Sequence, residues 1–257
     1  MRIMFLSHLP ENPKAKERNA KVQAQLNTYA SAGAQVDLCF PDDYPGAKLS
    51  LDLVARNEVP GIYHVLQTPA IIRKIIWAEK NGYDAVVQSN TFDPGVEAAR
   101  HTVRIPVIGV LRATLHTAMI LSNSVAIIVP LEEHIAYTYQ IVQSYGMQSF
   151  VKDIAAVGLY DESAEKRIDE IFARAAEAMR AATKRTGAGC IIPLGGAVFP
   201  TLVSPKDLER EVGVPVLNTK AIGIRFAETC VQLGMTQSLS SYPLAQLRYE
   251  DLTASAK

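Results

Sequence analysis

Short apolar runs alternate with amphipathic stretches along most of the chain. The runs are four to six residues long, which is typical of strands, and most end at a glycine, proline, serine or asparagine. Because successive positions are apolar, these runs predict strands buried on both faces, as in a parallel sheet covered by helices. They are Arg2–Leu6, Gln35–Phe40, Asp84–Gln88, Val107–Val110, Val125–Val129, Ile154–Val157, Cys190–Leu194 and Val214–Leu217.

The stretches between the runs have the amphipathic pattern of helices. Asp93 precedes Pro94 and Ser204 precedes Pro205, so two of these helices are predicted to begin with a capping residue followed by proline. Strand and helix in alternation predict an α/β fold. The predicted helices are Asn19–Ala32, Ala70–Asn81, Pro94–Thr102, Leu131–Tyr145, Glu162–Arg185, Pro205–Val212 and Ala221–Leu233.

A unit of strand, loop and helix occurs twice, about a hundred residues apart. The loop of the first unit is Gln88–Phe92 and that of the second is Leu194–Pro200; we call them the first loop and the second loop. The repetition favours two similar lobes, each a mostly parallel sheet flanked by helices. One lobe is predicted to comprise residues 1–109 with 218–257, and the other residues 110–217.

The predicted lobes exchange the chain near Gly109 and Asn218, where two of the predicted strands end. If the two loops face one another, the carboxyl ends of two parallel sheets form one cleft, which is where ligands bind in open α/β folds. We therefore predict an active-site cleft between the lobes, with backbone N–H groups of both loops pointing into it.

The composition narrows the class of partner. With 257 residues, 48% of them hydrophobic, the chain can bury a large core. Lysine plus arginine equals aspartate plus glutamate at 26 each, so no global field favours nucleic acid or an anionic membrane. No apolar stretch reaches the length of a membrane span, and the first residues lack a signal peptide's apolar region. We expect a cytoplasmic protein that binds a small molecule.

The three cysteines, Cys39, Cys190 and Cys230, are widely spaced and form neither a disulfide framework nor a zinc motif. Cys190 lies within a predicted strand and Cys230 on an apolar helix, so both are interpreted as core thiols. The chain also lacks a nucleotide-binding fingerprint. We expect a site that works without metal or cofactor.

The two loops resemble the active-site motifs of glutamate racemases. The stretch 194–202, Leu-Gly-Gly-Ala-Val-Phe-Pro-Thr-Leu, is similar to their second motif, whose third position is a cysteine; that position is Gly196 here. Their first motif is a strand ending in Cys-Asn-Thr, and this chain has Ser89, Asn90 and Thr91 after an apolar strand. By this resemblance a serine stands at the first thiol position.

The order of short motifs along nearly the whole chain is similar to that of hydantoin and allantoin racemases. The matching segments are 82–85 (Gly-Tyr-Asp-Ala), 93–95 (Asp-Pro-Gly) and 105–109 (Ile-Pro-Val-Ile-Gly), and in this alignment the cysteine falls on Asn90. His116 matches a histidine of that family. The chain is thus identified as a member of the aspartate/glutamate/hydantoin racemase superfamily, whose relatives commonly assemble as oligomers. We expect a homo-oligomer.

Three departures from the family bear on function. Neither cysteine is present under either alignment, Arg112 stands where hydantoin racemases usually have glutamate, and the segment 7–10 (Ser-His-Leu-Pro) replaces their Asn-Pro-Asn-Thr. In the family, one thiolate removes an acidic C–H proton and the other thiol returns a proton on the opposite face. Serine, asparagine and glycine do not fill that role unaided. The resemblance therefore implies the scaffold and not the two-thiol reaction.

The scaffold retains groups that can bind an anion. Asn90, Thr91, Gly195, Gly196 and Ala197, together with Ser89, would offer backbone N–H groups and hydroxyls to a carboxylate or a developing enolate. Arg112 either clamps a substrate carboxylate or is a solvated surface charge. The candidate substrate-binding residues are therefore Asn90, Thr91, Arg112, Gly195, Gly196 and Ala197.

Two side chains are candidate catalytic groups. Ser89 can act as nucleophile or proton relay if a base lies within hydrogen-bond reach, and His116 and His8 are the histidines near the predicted loops that could supply it. Otherwise Ser89 is a strand-end hydroxyl bonded to the next turn. His116 titrates near neutral pH and can act directly, or it is a histidine on a helix face. Asp93 is interpreted as a helix cap in preference to a base.

The sequence thus favours a racemase-like isomerase acting on a small carboxylate, imide or amide through an oxyanion pocket. A lyase or hydrolase that uses Ser89 or His116 is the alternative within the enzyme class. A binding protein or an inactive homologue is the alternative outside it. Because no family thiol remains at either motif, alkylation by iodoacetamide separates ordinary family chemistry from all of these.

Overall fold

The protein is an α/β structure built on two separate parallel sheets. The computed structural model describes residues 1–42, 49, 52–53, 60–159 and 164–252. The first sheet has strand order β2-β1-β3-β4 and the second has order β6-β5-β7, with all pairs parallel. The strands are β1 (Arg2–Leu6), β2 (Gln35–Cys39), β3 (Ala85–Gln88), β4 (Val107–Gly109), β5 (Val125–Val129), β6 (Val151–Ala156) and β7 (Cys190–Pro193).

Helices flank both sheets. They are α1 (Lys16–Tyr29), α2 (Pro60–Lys80), α3 (Val96–Ala99), α4 (Val110–Leu121), α5 (Glu133–Ser144), α6 (Ile168–Thr186), α7 (Pro205–Val212) and α8 (Thr219–Gln232), with short 3-10 turns at Pro13–Ala15, Ala164–Lys166 and Tyr249–Leu252. The predicted fold class, two parallel sheets flanked by helices, is confirmed. In the part of the chain described here, no helix is both long and apolar enough to span a membrane.

Alternating side chains of β1 enter two different cores, which explains its unbroken apolar run. Ile3 and Phe5 pack in the core that contains Leu26 of α1 and Ile224 of α8. Met4 and Leu6 belong to the core on the opposite face, with residues of α2 and α3. Because both faces of the strand are buried, hydrophobicity does not alternate along it.

The second sheet is covered in the same way. Ala126 and Ile128 of β5 pack against α6. Val125 and Ile127 face the core that includes Leu111 of α4. Each face of β5 is therefore closed by a helix, and the carboxyl ends of its neighbouring strands are left for loops.

One helix that the sequence pattern did not predict is α4. Val110 and Ala113 pack in a core of the first sheet, whereas Leu111, Leu115 and Ala118 pack in a core of the second. A helix buried on two sides loses the clear 3.6-residue alternation of polar and apolar positions on which detection depends. This helix joins the two sheets.

The prediction for the segment 214–217 was wrong in extent. Its strand is reduced to one isolated parallel bridge between Val216 and Ile191. The chain then enters α8, which packs against α1, α4 and the first sheet. This path follows the predicted return at Asn218, although the lobe boundaries 1–109 with 218–257 and 110–217 remain a prediction.

Candidate functional site

The first and second loops touch each other. The Gly195 N–H donates a 3.0 Å hydrogen bond to Thr91 Oγ1. A Cβ built on Gly196 would lie 3.5 Å from the Ser89 carbonyl oxygen. The first loop follows the carboxyl end of β3 and the second loop follows that of β7. The contact therefore shows that these two strand ends lie close together.

Of the six amides expected to bind an anion, those of residues 89–91 and 195–197, three are already hydrogen-bonded within the chain. The Ser89 N–H donates to Leu6 O at 2.9 Å, the Asn90 N–H to Gln88 Oε1 at 2.6 Å, and the Gly195 N–H to Thr91. Among the described residues, the amides of Thr91, Gly196 and Ala197 donate to no other group of the chain. The expectation that all six amides are available is therefore corrected to three.

The polar side chains of the first loop differ in what they do. Asn90 Oδ1 accepts a 2.9 Å hydrogen bond from the Phe92 N–H and so holds the turn. Ser89 is half-buried, and its hydroxyl has no hydrogen-bond partner within the described chain. The alternative reading of Ser89 as a turn-bonding hydroxyl is not observed, because Asn90 and Gln88 bond the turn amides instead.

Lys220, in the first turn of α8, lies beside the second loop. The point where a side chain at Gly196 would begin is 3.9 Å from Lys220 Cε. Lys220 is 5% exposed, and its Nζ donates a 2.5 Å hydrogen bond to Thr201 Oγ1. The Thr201 hydroxyl in turn donates to Gly196 O at 2.7 Å. A buried lysine side chain therefore borders the position where the resemblance puts the second thiol.

Burial, reinforced by the charge of Arg18, lowers the pKa of Lys220 to about 8. Sequence reasoning did not identify this residue, although one signal was present. Lys220 follows Asn218, whose side chain caps α8 by accepting from the Ala221 N–H, so the lysine falls in the first helical turn. A cation there opposes the helix dipole, and such a placement calls for an explanation.

His116 and Arg112 lie elsewhere, in a cavity of about 360 Å³ that we call the arginine cavity. None of the residues that line it belongs to either loop. His116 is exposed on α4, and burial together with the charge of Arg112 lowers its pKa. The lining includes Arg100, Val107, Arg112, His116, Phe226 and Tyr242. The structure does not bring His116 to the loops.

Arg112 is engaged in a local ion pair. Its guanidinium donates to Glu97 Oε1 at 2.9 Å and to the Tyr242 hydroxyl at 3.3 Å, and it lies 5.2 Å from the centroid of the Tyr145 ring. Glu97 also receives a 2.7 Å hydrogen bond from Arg100. This arrangement occupies the guanidinium and gives no support to the expectation that Arg112 clamps a substrate carboxylate.

Asp93 caps a different helix from the one predicted. It has a left-handed φ of 51°, and α3 begins only at Val96. Its carboxylate instead accepts from the Leu111 N–H at 3.0 Å and the Arg112 N–H at 2.9 Å, at the start of α4. The carboxylate lies directly against Gly109, where any side chain would collide with it at 2.5 Å. The N-cap assignment to the helix after Pro94 was therefore wrong.

A histidine cluster lies next to the first loop; the sequence reasoning named its member His8 but missed His64 and His134. The His64 ring lies 5.6 Å from that of Phe92 and 6.3 Å from that of His8, and His134 is 5.5 Å from Phe92. His64 Nδ1 is 3.1 Å from the Tyr137 hydroxyl. Burial lowers the pKa of His8 to about 4 and, with the neighbouring histidines, that of His64 to about 2. These imidazoles are neutral at pH 7.

The family model for Asp/Glu/hydantoin racemase matches residues 61–227, a segment that contains both loops and Lys220. A hydantoin racemase from a Pseudomonas species is 30% identical over 178 residues, which is 69% of this chain and 70% of that protein. The chain belongs to the Asp/Glu/hydantoin racemase family. It is accordingly a racemase-type enzyme, an isomerase, and the superfamily assignment made from the motifs is confirmed.

Solved structures of the family share the fold. The allantoin racemase of Pseudomonas fluorescens has a TM-score of 0.81 at 19% identity, covering 96% of this chain and 98% of that one. The allantoin racemase of Klebsiella pneumoniae has a TM-score of 0.76 at 19% identity, covering 96% and 95%. At this identity the similarity concerns the fold.

None of the three cysteines of this family member belongs to either loop. Cys190 lies inside β7 and burial raises its pKa to about 11; burial likewise raises the pKa of Cys230 on α8. Cys39 ends β2 with its sulfur 3.6 Å from the Tyr83 hydroxyl. High thiol pKa values make poor bases and nucleophiles at neutral pH. Within the described ranges, no group of three or more ligating side chains is arranged to hold a metal ion.

Proposed function

We propose that this racemase-family enzyme moves a proton at the carbon next to a carbonyl group of a small carboxylate, imide or amide. The supporting observation is the contact between the two loops at the family's motif positions, which leaves the amides of Thr91, Gly196 and Ala197 without partners in the described chain. Paired amides of this kind stabilise the oxyanion of an enolate.

In this proposal the reaction proceeds without the family's pair of thiols. The positions that correspond to the thiols are Gly196 in the second loop and either Ser89 or Asn90 in the first. Asn90 Oδ1 is engaged in the turn, whereas the Ser89 hydroxyl is free of partners in the described chain. Ser89 is therefore our candidate on the first-loop side, as a proton relay or nucleophile.

A deuterium-exchange experiment tests the reaction class. Single enantiomers of hydantoins and amino acids are incubated with the enzyme in D₂O, and deuterium at the α-carbon and optical rotation are followed together. Substituted malonates, which are achiral, are assayed separately for decarboxylation. Exchange with loss of rotation supports the proposal. Cleavage to a ring-opened or decarboxylated product without exchange of unreacted substrate would replace isomerase with hydrolase or lyase. Binding without any turnover would identify a binding protein.

An introduced thiol tests the location of the site. The space above Gly196 accepts a Cβ at ordinary contact distances, so Gly196→Cys is expected to fold. Iodoacetamide should leave the wild-type activity unchanged and should abolish that of Gly196→Cys. The matched control is Ala173→Cys, at an exposed position on α6, where alkylation should have no effect. Equal activity of alkylated and untreated Gly196→Cys would show that the site lies elsewhere.

A further inference from the structure

Lys220 is a basic side chain in unusual surroundings. It is nearly fully buried, yet among the described residues no carboxylate lies within 4 Å of its Nζ, and the amine donates a hydrogen bond to the Thr201 hydroxyl. Because that hydroxyl donates its own proton to Gly196 O, it can only accept from the amine. The remaining N–H groups or lone pair of the amine are thus left for a ligand.

The surroundings shift the protonation equilibrium of the amine toward its neutral form. Burial is the larger cause and Arg18 of α1 the second, and together they lower the pKa of Lys220 to about 8. Arg18 is itself 4.0 Å from Glu165, and on α4 the titratable groups Arg112 and His116 face the arginine cavity. The N-terminal end of α8 adds a positive potential. An amine that titrates near neutral pH can serve as base and, once protonated, as acid.

The position of Lys220 matches a missing function. Lys220 Cε and the Ser89 carbonyl oxygen both lie within 4 Å of the point where a side chain of residue 196 would start. In the motif that this loop resembles, that side chain is a thiol that exchanges a proton with the substrate. Through its terminal methylene, the Lys220 side chain therefore borders the volume that the thiol would occupy, and it does so from a neighbouring helix.

We propose that Lys220 is a catalytic residue, the acid/base that serves the substrate face bordering Gly196. This inference rests on the proposed function. The substrate C–H bond breaks, its proton passes to Nζ, and the electron pair moves to the carbonyl oxygen, whose charge the amides of the two loops stabilise. The electron pair then returns from the oxygen to the carbon, which takes a proton from the Ser89 hydroxyl on the first-loop side and is thereby inverted. The serine oxygen regains a proton from water, and the ammonium releases its proton to water.

The first test replaces the amine with an apolar side chain of similar length. Lys220→Met should lower the rate of α-proton exchange at least about a hundredfold, because general acid/base catalysis contributes that much or more. The variant is expected to fold, because removing a buried amine that has no counter-ion removes a desolvation cost. The hydrogen bond from the Thr201 hydroxyl to Gly196 O is retained. The matched control is Lys206→Met, an exposed lysine on α7, which should retain the full rate.

Two further readouts separate catalysis from a structural role. In Lys220→Ala, added alkylamines should restore the rate at least about tenfold, in order of their basicity. In the wild type, kcat/KM should fall as pH drops below about 8. Thr201→Val removes an acceptor that favours the ammonium form, so this inflection should move to lower pH.

The outcomes distinguish this inference from the proposed function. An active wild type, inactivated by iodoacetamide only as Gly196→Cys, together with a fully active Lys220→Met, would overturn the role of Lys220 alone. The same holds if the pH profile is unchanged in Thr201→Val and amines rescue nothing. A wild type that exchanges no α-proton on any substrate class would overturn the proposed function itself. A slow Lys220→Met together with a Lys220→Ala that amines rescue supports the inference.

Discussion

Lys220, beside the two loops, and Arg112, in the arginine cavity, are both basic side chains partly or wholly withdrawn from water, but they differ in their partners. Arg112 pairs with Glu97 and Tyr242, and a second arginine, Arg100, shares the same carboxylate. Lys220 has a hydroxyl as its partner and no carboxylate within 4 Å in the described chain. In the first arrangement a carboxylate lies beside the basic group, and in the second none does.

This difference indicates where chemistry is expected. A satisfied ion pair near the surface contributes modest stability and has no reason to change its protonation. A buried amine without a counter-ion costs stability, because desolvation is not compensated, and it is the kind of perturbed group that clusters at functional sites. Under the proposed function we therefore expect proton transfer at the two loops and a structural role for the arginine cavity. This differs from the sequence-based expectation for His116.

The largest effect expected from this contrast concerns Ser89 and His116. Ser89→Ala should lower the exchange rate at least about a hundredfold, the usual contribution of a group that transfers or relays a proton. His116→Ala should stay within about threefold of wild type, because its exposed side chain on α4 lies in the cavity away from both loops. Initial rates for the two variants, with thermal unfolding as the fold check, give the comparison.

The opposite ranking would break the contrast. A Ser89→Ala variant with full activity and a His116→Ala variant with a large loss would return the catalytic assignment to α4 and the arginine cavity. The loss must appear in kcat, since a change confined to KM would indicate a binding role only.

Asp93 connects the two regions, and its effect should appear in stability. Burial, the largest cause, raises the pKa of Asp93 to about 6, although two amides and Tyr145 donate hydrogen bonds to it. A raised carboxyl pKa means that the folded state binds the proton more tightly. The contribution of Asp93 to stability is therefore greatest below about pH 4 and is lost as pH rises to about 6, by up to about 3 kcal/mol.

Urea unfolding of the wild type and Asp93→Asn at several pH values between 4 and 7 isolates this effect. The difference in unfolding free energy between the two proteins should shift in favour of the variant as pH rises. A difference independent of pH would show that Asp93 is ionised throughout this range and that its amide bonds outweigh the burial.

The smallest effect is expected within the arginine cavity. Glu97→Gln removes the carboxylate that Arg100 and Arg112 share, and it should cost no more than about 1 kcal/mol because the pair is partly exposed. The exchange rate should be unaffected. Chemical denaturation and steady-state kinetics measure the two quantities, and a loss of activity greater than about tenfold would show that the cavity takes part in catalysis.

Sequence patterns predicted most of the strands because buried parallel strands are written as short apolar runs. β1, β5 and α7 have the predicted bounds, and β7 begins at the predicted residue. The pattern failed at α4, which is buried against both sheets, and at segment 214–217, where a strand-like run forms a single bridge. In both places the neighbours in space, and not local periodicity, determine the conformation.

The candidate site was predicted in part. The order of motifs located the two loops, and the structure brings Thr91 and Gly195 together as expected. The order of motifs did not locate Lys220, His64 or His134, because these residues lie on helices outside the two loops and carry no motif. The interpretation of Asp93 also depended on a neighbour in space: a capping residue before proline is a common local signal, yet its carboxylate binds amides eighteen and nineteen residues later.

The sequence by itself determined the family and the fold class, since residue identities in order carry both, and the resemblance to the family motifs predicts that thiols are absent at both motif positions. Only the tertiary structure decided which polar groups are free. Whether an amide, a hydroxyl or an amine has a partner depends on distances between segments that are 19 to 104 residues apart in the chain. Burial, which lowers the pKa of Lys220, is likewise a property of the packed molecule, because desolvation requires neighbours that the local sequence does not specify.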